Sequence, residues 1–368
     1  MAYTEIDDSS AYFQVALYTG NAGTNNITFD GNSDMQPNLI WIKERGGTGS
    51  HIWVDTVRGI SASSTPFIKS NSSGAQVTNN TNAFVTSSNS DGFSLGADSY
   101  FTDVNKNNST YASWNWKAGT SFTNDASSTG IGSIDSAGSF NNTSGFSIVS
   151  WSGTGSTATL KHGLSTAPSM IITKSLGGSS AWGVYNESLG NTKIVFLNES
   201  GANGTNAAYW NNTSPTSSVF TVGSDAAVNH SGNNMIAYCF AEKKGYSKFG
   251  QYTGSSSQIF NYTGFKPRFI LIKKTSETAS WQLFDTKRTS SNGGNVLNYI
   301  IYPNLNNSED NDAYNYIDSN SNGFRCFSGP GGQGTETNKD GQNFIYMAFA
   351  ENPFVTSTGN GSIPATAR

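Results

Sequence analysis

Asp55 and Asp285 are each followed three residues later by an arginine, Arg58 and Arg288. A carboxylate at that spacing from a guanidinium makes a local ion pair or, with a second acid nearby, the start of general acid–base machinery. The corresponding place in the middle of the chain holds Asn186 and Leu189, so the pair is dispensable there, and Asp or Asn after a strand is first of all a turn residue. Glycan cleavage needs two acids about 5–10 Å apart. Acids are sparse in this chain and none recur as a pair. His51, His162 and His230 are the only imidazoles, and no His/Cys/Asp spacing suits zinc. Asp318-Ser319-Asn320-Ser321-Asn322-Gly323 follows the first half of a calcium loop, but Gly329 stands where the bidentate Glu belongs. Ser88-Asn89-Ser90-Asp91-Gly92 occupies the matching place earlier, and hairpin turns with Gly in the left-handed region explain both. Gly92-Phe93-Ser94-Leu95-Gly96 has the outline of a nucleophile elbow without the strand before it or the helix after it. Gly329-Pro330-Gly331-Gly332-Gln333-Gly334 is followed by no Lys-Ser/Thr and no helix start, so it reads as a loop. No catalytic residue, metal ligand or cofactor site is expected.

The elements that carry these residues come from one unit used three times. Pro37-Asn38-Leu39-Ile40-Trp41-Ile42-Lys43, Pro168-Ser169-Met170-Ile171-Ile172-Thr173-Lys174 and Pro267-Arg268-Phe269-Ile270-Leu271-Ile272-Lys273 are the same strand, opened by Pro and closed by Lys. Eight residues after each Lys stands a ring, His51, Trp182 or Trp281; four further on stands Asp55, Asn186 or Asp285. The near-continuous apolar run predicts a strand buried on both faces. Before it each copy has an alternating strand ending Tyr18-Thr19-Gly20, Trp151-Ser152-Gly153 or Tyr252-Thr253-Gly254; a last aromatic strand runs through Trp114, Tyr238 or Met347. Short strands with turns between them, in units of about 100 residues, predict an all-β fold of three tandem antiparallel β-sandwich repeats, jelly-roll or lectin-like. The expected organisation is repeat 1 with a short N-terminal arm over 1–119, a Gly/Ser/Asn-rich linker with room for an edge strand over 120–143, repeat 2 over 144–245, repeat 3 over 246–355 and a polar tail over 356–368. Repeats 2 and 3, joined directly, should dock rigidly.

Charged residues are 12% of the chain, about half the usual share, while aromatics are also 12%, which excludes a disordered composition. With a net charge of −4 and no basic run longer than two, nucleic acid is not an expected partner. No apolar run is long enough to span a membrane, and no signal segment opens the chain, so a soluble protein is expected. Cys239 and Cys326 occupy different repeat positions and read as buried thiols rather than a disulfide. The repeated tryptophans, Trp41, Trp114, Trp116, Trp151, Trp182 and Trp281, read as sandwich core. The non-repeated rings are different: Tyr209 and Trp210, Tyr100 and Phe101, and Tyr299, Tyr302, Tyr314 and Tyr316 lie in stretches where the copies diverge. Rings beside amides and hydroxyls suit sugar stacking or protein contact, and these eight are the candidate contact residues.

Tyr18-Thr19-Gly20, the first Pro-led strand, Asp55-Thr56-Val57-Arg58-Gly59 and Tyr346-Met347-Ala348-Phe349-Ala350-Glu351-Asn352-Pro353-Phe354 resemble a repeat family of bacteriophage virion proteins, tail-fibre-like, from phages of cyanobacteria and other marine bacteria. His162-Gly163-Leu164 through Pro168 and Asn234 through Phe240 fit the same family, and the resemblance covers nearly the whole chain. It implies a structural protein on the tail, neck or capsid surface, assembled in the host cytoplasm, with other virion proteins as partners and a host cell-surface glycan as ligand. A homotrimer follows by analogy with phage fibres. The family supplies no catalytic residues. A capsid or neck decoration protein is the alternative, and a glycan depolymerase the third reading.

Overall fold

The computed structural model describes residues 4–79, 84–97, 102–289, 295–311, 317–328 and 334–353. The protein is all-β: antiparallel sheets with a few single-turn helices. No helix among the described residues is long and apolar enough to cross a membrane.

Each copy has one large sheet built on the Pro-led strand. In copy one Leu39–Glu44 lies between the last aromatic strand, Thr110–Trp116, and the ring-to-Asp strand, Ile52–Asp55. In copy two Met170–Ser175 lies between Asn234–Phe240 and Gly183–Asn186. In copy three Phe265–Lys274 lies between Asn343–Pro353 and Gln282–Asp285. Register is the same throughout, since Trp41 pairs with Trp114, Ile172 with Tyr238 and Leu271 with Met347. A smaller sheet covers the outer face of each. It comprises Asn25–Ile27, Gly92–Leu95 and Val85–Asn89 in copy one, and Ala158–Lys161 with Val219–Val222 in copy two. In copy three it comprises Ile259–Tyr262, Gly323–Cys326, Ile317–Asn320 and Val296–Leu297.

The alternation of a strand sends successive side chains to opposite faces. Ile40 and Ile42 enter the interior of the first sandwich, Ile171 that of the second, Ile270 and Ile272 that of the third. Leu39, Trp41, Met170, Ile172, Phe269 and Leu271 point the other way, into one further core shared by all three copies. The three large sheets therefore enclose a fourth core, and this is why the Pro-led strands carry no polar face. At its centre the equivalent rings Trp116, Phe240 and Phe349 form a triangle with centroids 6.1, 5.6 and 6.0 Å apart. Trp41, Trp114, Trp116, Trp182 and Trp281 belong to this central core, and of the repeated tryptophans only Trp151 packs inside a sandwich as expected.

Two local expectations change. Pro37 and Pro168 precede their strands, whereas Pro267 lies within Phe265–Lys274 at a register shift, where no regular ladder bond is lost. The stretch 120–143, expected as a linker with room for an edge strand, holds two paired strands, the edge strand Thr120–Asn124 and its neighbour Ser136–Asn141, that extend the second large sheet. Between them Asp125 caps the helical turn Ala126–Thr129, accepting from the Ser128 N–H at 3.0 Å. Gly138 faces the Ile148 carbonyl so closely that a Cβ would come within 1.9 Å. The Gly and Ser content that suggests a flexible joint is what lets this hairpin lie flat on its neighbour.

Candidate functional site

The ring eight residues past each Lys reaches the preceding copy around the ring. Trp182 Nε1 donates to the Lys69 and Ser72 carbonyls of copy one at 3.1 and 3.0 Å, and Trp281 Nε1 donates to the Phe196 carbonyl of copy two at 2.8 Å. His51 of copy one faces the backbone of Tyr302 and Leu305 in copy three, while its Nδ1 accepts from Trp41 Nε1 at 2.9 Å. The contacts run from two to one, three to two and one to three, so the copies close into a ring about an approximate three-fold axis. Lys174 and Lys273 follow the same rule, donating to the Ser73 and Ser200 carbonyls of the preceding copy, while Lys43 stays local on Glu44 and Gly47. Burial lowers the pKa of all three to about 8.

The Asp–Arg pairs are part of the same ring. Arg58 Nε lies 2.6 Å from Asp55 Oδ2, with both side chains buried, and the same oxygen accepts the hydroxyl of Tyr238 from copy two at 2.8 Å. Arg288 repeats this with Asp285 at 2.6 Å, and Asp285 accepts from Trp114 Nε1 of copy one at 2.9 Å. Burial opposes each arginine's charge, but the facing carboxylate outweighs it and leaves the pKa above its ordinary value. At the third seam the donor position is Met347, the acid is Asn186 and the arginine is Leu189. Donor, carboxylate charge and counter-charge are absent together, which leaves no unpaired buried charge. The pair is therefore a seam latch that is replaced as a set, rather than a dispensable local bridge. The seam between copies three and one carries the most charge: Glu309 bridges Arg288 at 2.9 Å and Arg45 at 2.7 Å, and Lys287 pairs with Asp30.

The candidate contact residues separate. Trp210 is 1% exposed and packs edge-on against Tyr185 inside the second sandwich, which corrects its reading as a contact residue. Asn206 caps the turn Ala207–Trp210 and points the indole inward. Tyr209 is half-buried against Phe196. Tyr299 and Tyr302 are half-buried, and the Tyr302 hydroxyl donates to Asp310 at 3.0 Å. Tyr100, Phe101, Tyr314 and Tyr316 lie outside the described residues. Cys239 and Cys326 are free and buried, and burial pushes both thiols up to about 12, so neither is a nucleophile at neutral pH. The Asp318 stretch forms the hairpin between Ile317–Asn320 and Gly323–Cys326. Gly92 has a φ of 100°, as expected there, while Gly323 is needed for a different reason: a Cβ would lie 2.2 Å from the Asn261 carbonyl. Among the described residues no three His, Cys, Asp or Glu side chains gather around a common point.

Two outer features remain. Phe260 and Tyr262 are 44% and 56% exposed on Ile259–Tyr262, the edge strand of the third small sheet. Their equivalents by register are Asn26 and Thr28 in copy one and Thr159 and Lys161 in copy two. Sequence reasoning passed them over; alternation within Ile-Phe-Asn-Tyr, with rings at positions polar in the other copies, is the signal that marks them. The second feature is a cleft of about 630 Å³ between copies one and two. Val57, Arg58 and Gln76 form one wall, and Thr123, Asn124, Asp125, Asp135 and Ser136 of the hairpin form the other. Trp151, Leu176 and Asn234 line the space between them.

The chain belongs to the family described as Domain of unknown function (DUF7483), whose model matches residues 8–353. No curated protein matches it.

Proposed function

We propose that this protein is a structural component of a bacteriophage virion, a tail-fibre or adhesin element that contributes to attachment to a host-surface glycan. One observation carries the reading: what the copies share faces inward, and what they do not share faces outward. The repeated rings, lysines and Asp–Arg pairs lock three sandwiches into a closed ring. The hairpin cleft and the pair Phe260 and Tyr262 have no counterpart among the described residues of the other copies and lie outside that ring. A rigid scaffold bearing dissimilar outer features is the economy of a binding protein, in which the scaffold holds position and the variable parts make contact. The acids that copies one and three share, Asp55 and Asp285, are engaged by arginine and a donor from the next copy, which supports a structural rather than catalytic use. Partners are other virion proteins. A single chain already presents a three-unit ring, so a homo-oligomer, the trimer of the fibre analogy included, meets through outer faces rather than the central core.

The exposed rings Phe260 and Tyr262 also favour a second reading, a capsid or neck decoration protein held by contacts to other subunits, since such rings are enriched at interfaces. Gold-labelled antibody on purified virions, with fluorescently labelled full chain on host cells, separates the two. Label at the tail with staining of cells is expected. Label on the capsid without cell staining selects the decoration protein, and no label on the virion overturns both.

A further inference from the structure

We infer that the cleft between copies one and two binds an oligosaccharide, and that it selects neutral or amino-bearing sugars over uronate, sulfated or phosphorylated ones. This deepens the attachment reading above and rests on it for biological setting only.

Size is the first argument. At about 630 Å³ the cleft falls within the range of small-ligand sites, about 300–1,000 Å³, and is large enough for more than one sugar ring. Lining is the second. Gln76, Asn234 and Ser152 present amides and a hydroxyl, groups that both donate and accept and so match a polyhydroxyl ligand, while Asn124 and Ser136 are buried and bonded to the Ile131 and Lys161 carbonyls behind them. Apolar relief comes from Val57, Leu176 and the edge of Trp151, which suit the C–H faces of a pyranose.

Charge decides the class. Arg58 is the one cation among the lining residues, and its charge is already spent. Its Nε holds Asp55 at 2.6 Å, its Nη2 donates to the Trp53 carbonyl at 2.9 Å, and its side chain is 4% exposed. Asp125 and Asp135 of the hairpin are not neutralised in this way. The Asp125 Oδ1 takes the Ser128 N–H and the Ser127 hydroxyl, and the Asp135 Oδ1 takes the Ala126 N–H at 2.8 Å. These are neutral donors, so neither carboxylate is paired with a cation where it lines the cleft. A site with two carboxylates and no available cation repels an acidic glycan and accepts hydroxyl or ammonium donors.

Position explains what sets this cleft apart from the other seams among the described residues. The hairpin Thr120–Asn124 to Ser136–Asn141 extends the second sheet alone, and it stands across from the seam with copy one. Copies two and three are joined with no comparable insertion.

The test is titration of the full chain, by calorimetry, with maltoheptaose, a chitosan oligomer and an oligogalacturonate. Ser152 and Asn234 are exposed, so Ser152→Trp obstructs the cleft and Asn234→Ala removes an amide without disturbing the core. Binding of the neutral or amino oligomer is expected, at least about tenfold tighter than the uronate and weakened about tenfold or more by Ser152→Trp. Asp135→Asn, which keeps an oxygen for the Ala126 N–H, should narrow the gap between chitosan and uronate. Binding of none of the three, preference for the uronate, or binding indifferent to Ser152→Trp overturns the assignment. These outcomes are independent of where the protein sits on a virion, so either proposal can fail while the other stands.

Discussion

Replacing Arg58 by leucine tests whether the Asp–Arg pairs are seam latches that work only as sets. Asp55 is fully buried and Arg58 nearly so, at 2.6 Å. At an effective dielectric of about 20, two charges about 3 Å apart attract by about 5 kcal/mol. Much of that is offset by the desolvation both groups have already undergone, but the single replacement removes only the attraction. Asp55 would be left charged, with the Tyr238 hydroxyl at 2.8 Å and the N–H groups of Val57 and residue 58 as its remaining donors. Breaking one side of a buried pair costs about 3–5 kcal/mol. With an unfolding entropy of about 2.1 cal/mol/K per residue, 4 kcal/mol lowers Tm by about 5 °C if the ring unfolds as one unit. The third seam shows the set that works without charge: Asn186, Leu189 and Met347. The triple variant Asp55→Asn, Arg58→Leu, Tyr238→Met should therefore recover most of the loss and come within about 2 kcal/mol of the parent. Urea denaturation followed by tryptophan fluorescence reads both. If the triple variant is as unstable as the three single changes added together, the equivalence of the seams is wrong.

Three further outcomes are expected. Burial holds His162 down to about 4 and His51 well below its ordinary range, so both stay neutral in the folded protein while the unfolded chain protonates them below about 6.5. Stability is then full above that pH and falls by up to about 1.4 kcal/mol per pH unit per histidine as pH drops toward 5; a urea midpoint that is flat from pH 7.5 to 5, or a slope unchanged in His162→Gln, contradicts this. Gly59 and Gly92 both have positive φ, 98° and 100°, but a Cβ at Gly59 meets nothing within 4 Å while one at Gly92 would lie 1.9 Å from the Ile27 carbonyl. Gly59→Ala should cost about 1 kcal/mol and Gly92→Ala about 3 kcal/mol or more, and equal costs in thermal melts would show that the close approach is unimportant. Phe260→Ser with Tyr262→Ser should leave the urea midpoint within about 0.5 kcal/mol yet reduce labelling of host cells or virions, and unchanged labelling removes those rings from the contact surface.

The repeat and its strands were legible because spacing is a one-dimensional property. Pro, Lys, ring and Asp keep their intervals, and the run from Leu39 to Ile42 can only be a strand covered on both sides. What covers the second face was not legible. Alternation says that Leu39 and Trp41 share a face; it does not say that the face meets Phe269 of another copy, because that contact joins residues far apart in the chain. The same limit hid the purpose of Asp55, whose local partner Arg58 is three residues away but whose second partner is Tyr238. Trp210 misled for the opposite reason. Its neighbours Asn206, Asn211 and Asn212 are polar, yet they serve a capped turn and left-handed corners that drive the indole inward. In the hairpin 120–143 the composition left room for one edge strand, and the second was hidden because small residues suit a linker as well as close strand contact.

The ring closes through a seam that no short stretch of backbone crosses. Ser9 Oγ donates to the Glu351 carbonyl at 2.9 Å, so the chain segment leading into copy one and the segment leaving copy three run side by side. The order in which the copies are strung is then independent of the order in which they stand. A chain opened between copies one and two, with residues near 9 and 351 bridged by a short tether, would carry the same seam contacts in the same places. The covalent path through this molecule is one of several that trace a single closed shape.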